Sequence, residues 1–450
     1  MSASERGSFS SSFGVIVAMA GSAVGLGNMW RFPYLVGENG GAAFILIYLL
    51  FVLVFCLPVM LCEFVIGRRG GANAVKSFAK LAPKSAWPLA GVLGILAAIF
   101  IMAFYPVIGG WGVNYLVKAL NFTFSRAGEI DYGALFNSSV SSTVPPLIYM
   151  AIFLLASVAV VAFGVKNGIE KCSKVMMPVL FFLVLGIAIY AMCPPGAGDG
   201  IRYLFRPDFS AVTGKTVAAA MGQAFFSLSL GMGAVITYAS YAGKNTSILR
   251  ESIATVSADT VFAIIAGCAI MPAVFAFGYS PAQGPGLVFV TLPALFADMP
   301  GGGIIAILFF IAFLLAAITS AISLLEVMVA YFSERLKISR GWTLAVLTVF
   351  LLGLCTLSSL ANGPLADRKI FGMDLMTFFD YTSANFMMTL GALLIVLFVG
   401  WKIGKTVYVD ELTNGGKIRV PRWLLDGTFF VIKYIAPPVI VAIVLVSILG

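Results

Sequence analysis

The chain has 450 residues, 60% of them apolar and only 10% charged, with a formal net charge of +9 and no histidine. This composition excludes a soluble globular protein, and the missing imidazole excludes histidine metal sites, serine or cysteine nucleophiles with a histidine base, and histidine pH switches. At ~20 apolar residues per crossing it allows at most ~13 helical spans, and the apolar runs are too long and unalternating for the strands of a membrane barrel.

In chain order, the expected spans run near 13–37, 42–66, 88–120, 145–164, 167–193, 216–242, 250–279, 301–333, 341–360, 375–401 and 427–449, eleven in all. The leader 1–12 is expected to be a cytoplasmic segment, because the span behind it is too long and too rich in glycine for a cleaved signal peptide. With the N-terminus inside, nineteen of the 28 basic residues fall in cytoplasmic loops, among them Arg68, Arg69, Lys166, Arg335 and Lys402. That asymmetry sets the orientation, and the basic charge reports topology rather than nucleic-acid binding. Residues 281–303, broken by prolines, are expected to form an ordered external loop with short helical pieces. The six cysteines are scattered without a C-x-x-C pair and read as small core residues.

Two spans are interrupted. The first contains Gly21-Ser22-Ala23-Val24-Gly25-Leu26-Gly27-Asn28 and the sixth Ser227-Leu228-Ser229-Leu230-Gly231-Met232-Gly233. Each interior glycine weakens a helix by ~1 kcal/mol, and a backbone group freed in lipid needs a cavity to line. One such interruption reads as a small-residue packing surface; two, each opening a set of five spans, point to a transporter with inverted repeats. Unwound turns offer N–H groups and a positive helix end to an anion, and carbonyls to a cation.

Polar residues within the apolar runs add to this. Thr319 and Ser320 sit together in mid-span, where back-bonding to their own helix is the bland alternative. Asp259 has no basic neighbour in sequence and costs at least ~2.5 kcal/mol on insertion scales, so it should face a polar cavity or a cation. Glu63 and Glu326 read as hydrogen-bonded to backbone at packed helix ends, and Tyr105 lies too deep for an interfacial anchor.

The stretches GSAVGLGNMWRFPYLVGENGGAAF (21–44) and FFSLSLGMGAVITYASY (225–241) closely resemble the neurotransmitter:sodium symporter family, in its bacterial amino-acid branch. The resemblance implies an all-α polytopic fold with a 5+5 inverted repeat: spans 1–5 over 13–193, spans 6–10 over 216–401, and an eleventh span over 427–449. It implies sodium-driven import of an amino acid through the cell membrane by alternating access, with no enzymatic activity. One sodium would be held by Ala23, Asn28, Ser227 and Asp259, and a second by Gly21, Val24, Ala316, Thr319 and Ser320. Substrate would touch Ala23, Gly25, Leu26, Gly27, Ile101, Tyr105, Phe226, Ser227, Ser229, Met232, Ala321 and Leu324. This side-chain pocket is apolar, and Met232 suits a hydrophobic or aromatic substrate.

By the same resemblance, Arg31 and Asp380 pair as an outer gate above Phe226 and Tyr105, and Arg6 and Glu334 pair as an inner one. Gly168 and Pro178 let the fifth span unwind. The family's tryptophan after the inner arginine is Phe9 here, which weakens the expected inner latch. Where relatives carry a glutamate that replaces chloride, this chain has Ala263, so Asp259 is expected to bind sodium and to make transport independent of chloride. Three rivals are weighed. A proton-coupled amino-acid exchanger of the same fold would place a basic residue where Thr319 and Ser320 stand; an intramembrane hydrolase lacks a second catalytic group; a receptor or channel would bind without coupled flux.

Overall fold

The computed structural model describes residues 7–125, 128, 130–244, 246–282 and 284–449. Among them there is no strand, and nine helices are long and apolar enough to cross a membrane, from Ala42–Gly70 to Arg422–Val446. The two remaining expected spans are the broken ones. Ser12–Ala23 and Gly27–Glu38 form a pair bent by 45°. Gly214–Ser227 and Ala234–Ala239 stand where the sixth span was expected, each too short to cross alone.

Ends of the helices follow local chemistry more than hydropathy. The sixth span opens on a capping box between Thr213 and Thr216, and the ninth on Ser339, whose hydroxyl accepts the N–H of Trp342. The tenth is interrupted at Gly404, whose φ of 79° and ψ of 174° are not helical, three residues past its expected end at 401, and a further helix carries Lys405 and Asp410 on to Thr413. Short helices hidden from a span count also appear, namely the amphipathic Ala74–Leu81 and Ala197–Phe205, with Tyr132–Ser141 and, inside the proline-rich loop, Thr291–Asp298.

Spans differ sharply in how much they bury. The most apolar stretch of the third span is 72% buried and that of the seventh 67%, whereas the eleventh is 22% buried and the fifth 28%. The first broken span packs against the seventh and eighth and the sixth against the second, whereas the fifth and eleventh turn Phe182, Tyr434 and Leu445 outward. Outward apolar side chains are what a lipid solvent accepts. Four cysteines are buried as expected, but Cys193 is exposed at the end of the fifth span.

Candidate functional site

Both breaks open toward one another. The first helix stops at Ala23, Val24 takes an extended conformation, and Gly27–Arg31 resumes as a wide π-type turn. In the sixth span Ser229, Gly231 and Gly233 all have positive φ, at 54°, 78° and 77°. Gly231 is required twice over, because a β-carbon there would lie 2.1 Å from the Met388 carbonyl oxygen. Its N–H donates to Glu63 Oε1 at 2.7 Å, so the buried glutamate caps an unwound backbone, as its reading from sequence suggests. Glu326 differs: it pairs with Arg340 and accepts from the Tyr241 hydroxyl at 2.7 Å, side chains rather than backbone. Arg340 lies fourteen residues on, beyond the range at which a sequence neighbour is noticed.

Between the breaks lies a cavity of about 20 Å3. Every expected substrate contact except Ser227 and Ala321 lines it, joined by Ser22 and Ser320. The Leu26 N–H donates to the Tyr105 hydroxyl at 3.3 Å, which ties the third span to the first break. A β-carbon on Gly25 would meet Ser320 Oγ at 2.1 Å, so the glycine lets the eighth span approach. That volume suits about one water molecule, and an amino acid is accommodated only when the surrounding helices separate.

Asp259, buried in the seventh span, gathers one set of polar groups. Ser227 Oγ donates to its carboxylate at 2.9 Å, Asn28 Nδ2 at 2.9 Å and the Tyr48 hydroxyl at 3.2 Å. Asn28 Oδ1 in turn accepts the Gly25 N–H at 3.2 Å. Tyr48 escaped the sequence reading; a tyrosine in the middle of an otherwise apolar run, whose hydroxyl must find a partner, is the signal that could have found it. A second set forms around Thr319, whose hydroxyl lies 2.9 Å from the Ala316 carbonyl oxygen and 3.4 Å from that of Val24. The Gly21 backbone passes alongside it, with a β-carbon position 3.4 Å from Thr319 Cβ. Ser320 turns elsewhere, donating to the Ser22 carbonyl at 3.1 Å beside Ser229, which does so at 2.9 Å. The described residues contain no group of three or more acidic or cysteine ligands. What they offer instead is carbonyls, hydroxyls and one carboxylate, the hard oxygen donors that suit an alkali cation.

Comparison with known proteins bears on this geometry. The sequence pattern of the sodium:neurotransmitter symporter family matches residues 6–128 and 134–450. The chain belongs to this family. It is 40% identical, over 98% of its length and 97% of the relative's, to the sodium-dependent transporter YhdH of Bacillus subtilis. Bovine sodium-dependent dopamine transporter is 26% identical, over 99% of this chain and 69% of the bovine one. The crystal structure of MhsT in complex with L-phenylalanine superposes with a TM-score of 0.91, at 42% identity, covering 98% of this chain and 99% of that one. The family is one of transporters, not enzymes, and the symporter fold is the broken-helix architecture described above.

Above the Phe226 side of the cavity, Arg31 and Asp380 do not form the direct ion pair expected of them. The Arg31 guanidinium lies 4.9 Å from the centre of the Phe226 ring, with two of its nitrogens buried and unpartnered. A cation laid on an aromatic face is held without a carboxylate in contact. Phe226 and Tyr105 are buried just beneath.

At the N-terminal-segment end, Arg6 lies outside the described residues, so its pairing with Glu334 is not part of this geometry. Glu334 accepts from Asn73 Nδ2 at 2.8 Å. Phe9 is buried, its ring packs edge-on against Tyr238 and Tyr241, and its N–H donates to the Tyr241 carbonyl at 3.2 Å. Two carboxylates that the sequence reading missed also hold this segment. Glu170 accepts from both the backbone and the hydroxyl of Ser10, and Glu251 from the Ser12 hydroxyl at 2.9 Å. Gly168 lies in the wide turn Val165–Glu170 and Pro178 within Lys171–Ala191, and together they form one unbroken span.

Proposed function

We propose that the protein imports a hydrophobic or aromatic amino acid by alternating access, coupled to two sodium ions and without need of chloride. The observation that carries this reading is the convergence of both broken spans on one cavity whose walls are the apolar Ile101, Phe226, Met232 and Leu324, with Tyr105 at the backbone break. The N–H groups near Leu26 and Gly27 and the Tyr105 hydroxyl would hold the substrate carboxylate, and carbonyls near Ala23, Phe226 and Ser229 its ammonium. Ser227, whose hydroxyl is engaged by Asp259, belongs to the first sodium site with Ala23 and Asn28; Gly21, Val24, Ala316, Thr319 and Ser320 form the second. The similarity to MhsT, which binds L-phenylalanine, supports an apolar side chain.

Asp259 would supply the negative charge that lets the first sodium bind unaided. Arg31 and Asp380 would gate the outside and Arg6 and Glu334 the inside, with Gly168 and Pro178 allowing the fifth span to unwind and wet the second sodium. The N-terminus would face the cytoplasm across the cell membrane, as the basic loops indicate. Two sodium charges moved through ~100 mV supply ~4.6 kcal/mol, enough for roughly thousandfold accumulation of a zwitterion.

Thermal stabilisation of the purified protein by each of the twenty amino acids, in sodium and in potassium, tests the reading. A hydrophobic or aromatic amino acid that stabilises only in sodium is the expected result. Equal shifts in both salts would move the assignment to a proton-coupled exchanger, and no shift with any amino acid would remove that substrate class.

A further inference from the structure

We propose that a cleft at the N-terminal-segment end of the bundle binds the phosphodiester headgroup of an anionic phospholipid. The cleft, about 480 Å3, lies between the short helix Ala74–Leu81 and the end of the eighth span. Its charged lining consists of Lys76, Arg335 and Lys337 against the single carboxylate of Glu334. That carboxylate is engaged with Asn73 and lies 3.9 Å from Lys76. Arg335 and Lys337 take part in no ion pair with the described residues and are exposed. Lys337 also ends its helix in the left-handed region, at a φ of 56°, where glycine is usual.

The border of the cleft identifies the source of the phosphate. Val92 lines it from the third span and lies between Leu89 and Leu96, both exposed on the outer face of that helix. On the other side Arg335 and Lys337 alternate with Leu336 and Ile338, which are exposed too. Cations alternating with outward apolar side chains mark the level at which acyl chains meet headgroups. Free phosphate would use the cations and leave the apolar border without a role. A larger cleft between the tenth and eleventh spans is differently disposed: Lys405 there is 3.0 Å from Asp426, and the Lys433 ammonium sits 5.1 Å from the Trp401 ring centre. The inference goes beyond the transport reading and does not depend on it.

Native mass spectrometry of the full chain in neutral detergent, titrated with dioleoylphosphatidylglycerol or dioleoylphosphatidylcholine, tests the proposal. The anionic lipid should bind at least about tenfold more tightly, and each cation removed should cost about fivefold, so that the Arg335→Gln/Lys337→Gln variant loses the preference. Lys405→Gln should keep it. Lys337→Gly separates binding from folding, because glycine relieves the left-handed residue and should leave the protein at least as stable as the parent while binding the anionic lipid about fivefold less well. Equal binding of both lipids, or a preference unchanged in the double variant, would overturn the assignment. Displacement of the anionic lipid by an equal concentration of inorganic phosphate would reassign the cleft to a free anion and reject the lipid.

Discussion

Two oxygen sets meet the first break, one on each side, and they are built in opposite ways. Beyond the break, the Asp259 carboxylate joins Asn28, Tyr48 and Ser227, and so links the first, second, sixth and seventh spans through one charge. Before it, the Thr319 hydroxyl reaches the Val24 carbonyl and, on its own helix, those of Leu315 and Ala316, linking two spans with no charge at all. A carboxylate away from water must keep its donors, since leaving it unpaired costs several kcal/mol. Hydroxyls and carbonyls lose far less when separated, about 1 kcal/mol per bond. The Asp259 side is therefore a frame and the Thr319 side a seam, and of the two halves of the first span Ser12–Ala23 is expected to be the one that moves.

The contrast is broken most directly at Asp259. In Asp259→Asn three donors face an amide that can no longer accept from all of them, and the negative charge is gone. Uptake in sodium buffer free of chloride should fall at least ~100-fold, about 3 kcal/mol, and added chloride should restore part of it. Parental uptake by this variant with gluconate as the only anion would sink both the frame and the chloride-independence argument.

Tyr48→Phe removes one donor and leaves the charge, so its effect should be smaller: about 2 kcal/mol, or roughly a thirtyfold rise in the sodium concentration for half-maximal uptake. Thr319→Val keeps the shape and removes a neutral hydroxyl on the other side. Roughly a fivefold rise is expected, about 1 kcal/mol, with thermal stability in potassium nearly unchanged. If the threonine variant proved the more damaging of the two, the assignment of frame and seam would be reversed.

The difference between these sets also explains what could be read from the amino-acid sequence. Glycine and hydroxyl runs inside apolar stretches announce both breaks, because a lipid environment makes any irregular backbone conspicuous. Asp259 and Thr319 are conspicuous for the same reason. Partners are harder: Tyr48 is 211 residues from Asp259 and Glu170 is 160 from Ser10, and nothing local marks either pair. Arg31 was read as the partner of Asp380, but a cation can also be held by an aromatic face, and only packing decides between the two. The expectation of a weak latch at Phe9 weighed one ring against another, and the carboxylates that hold Ser10 and Ser12 lie too far along the chain to enter that comparison.

The smallest effect is expected at that latch, and it bears on which half of the first span moves. Ser12 donates to Glu251, and Phe9 and Ser10 anchor the residues just before it, so these contacts restrain the half-helix on the seam side alone. Ser12→Ala removes one hydrogen bond of several, and amide hydrogen exchange over residues 12–23 should rise by about threefold. Exchange near Asp259 should not change, because the carboxylate frame holds the segment beyond the break whether or not the latch is closed. Faster exchange on both sides would mean that the first span moves as one rigid piece, and the division at Val24 would then be a feature of binding rather than of motion.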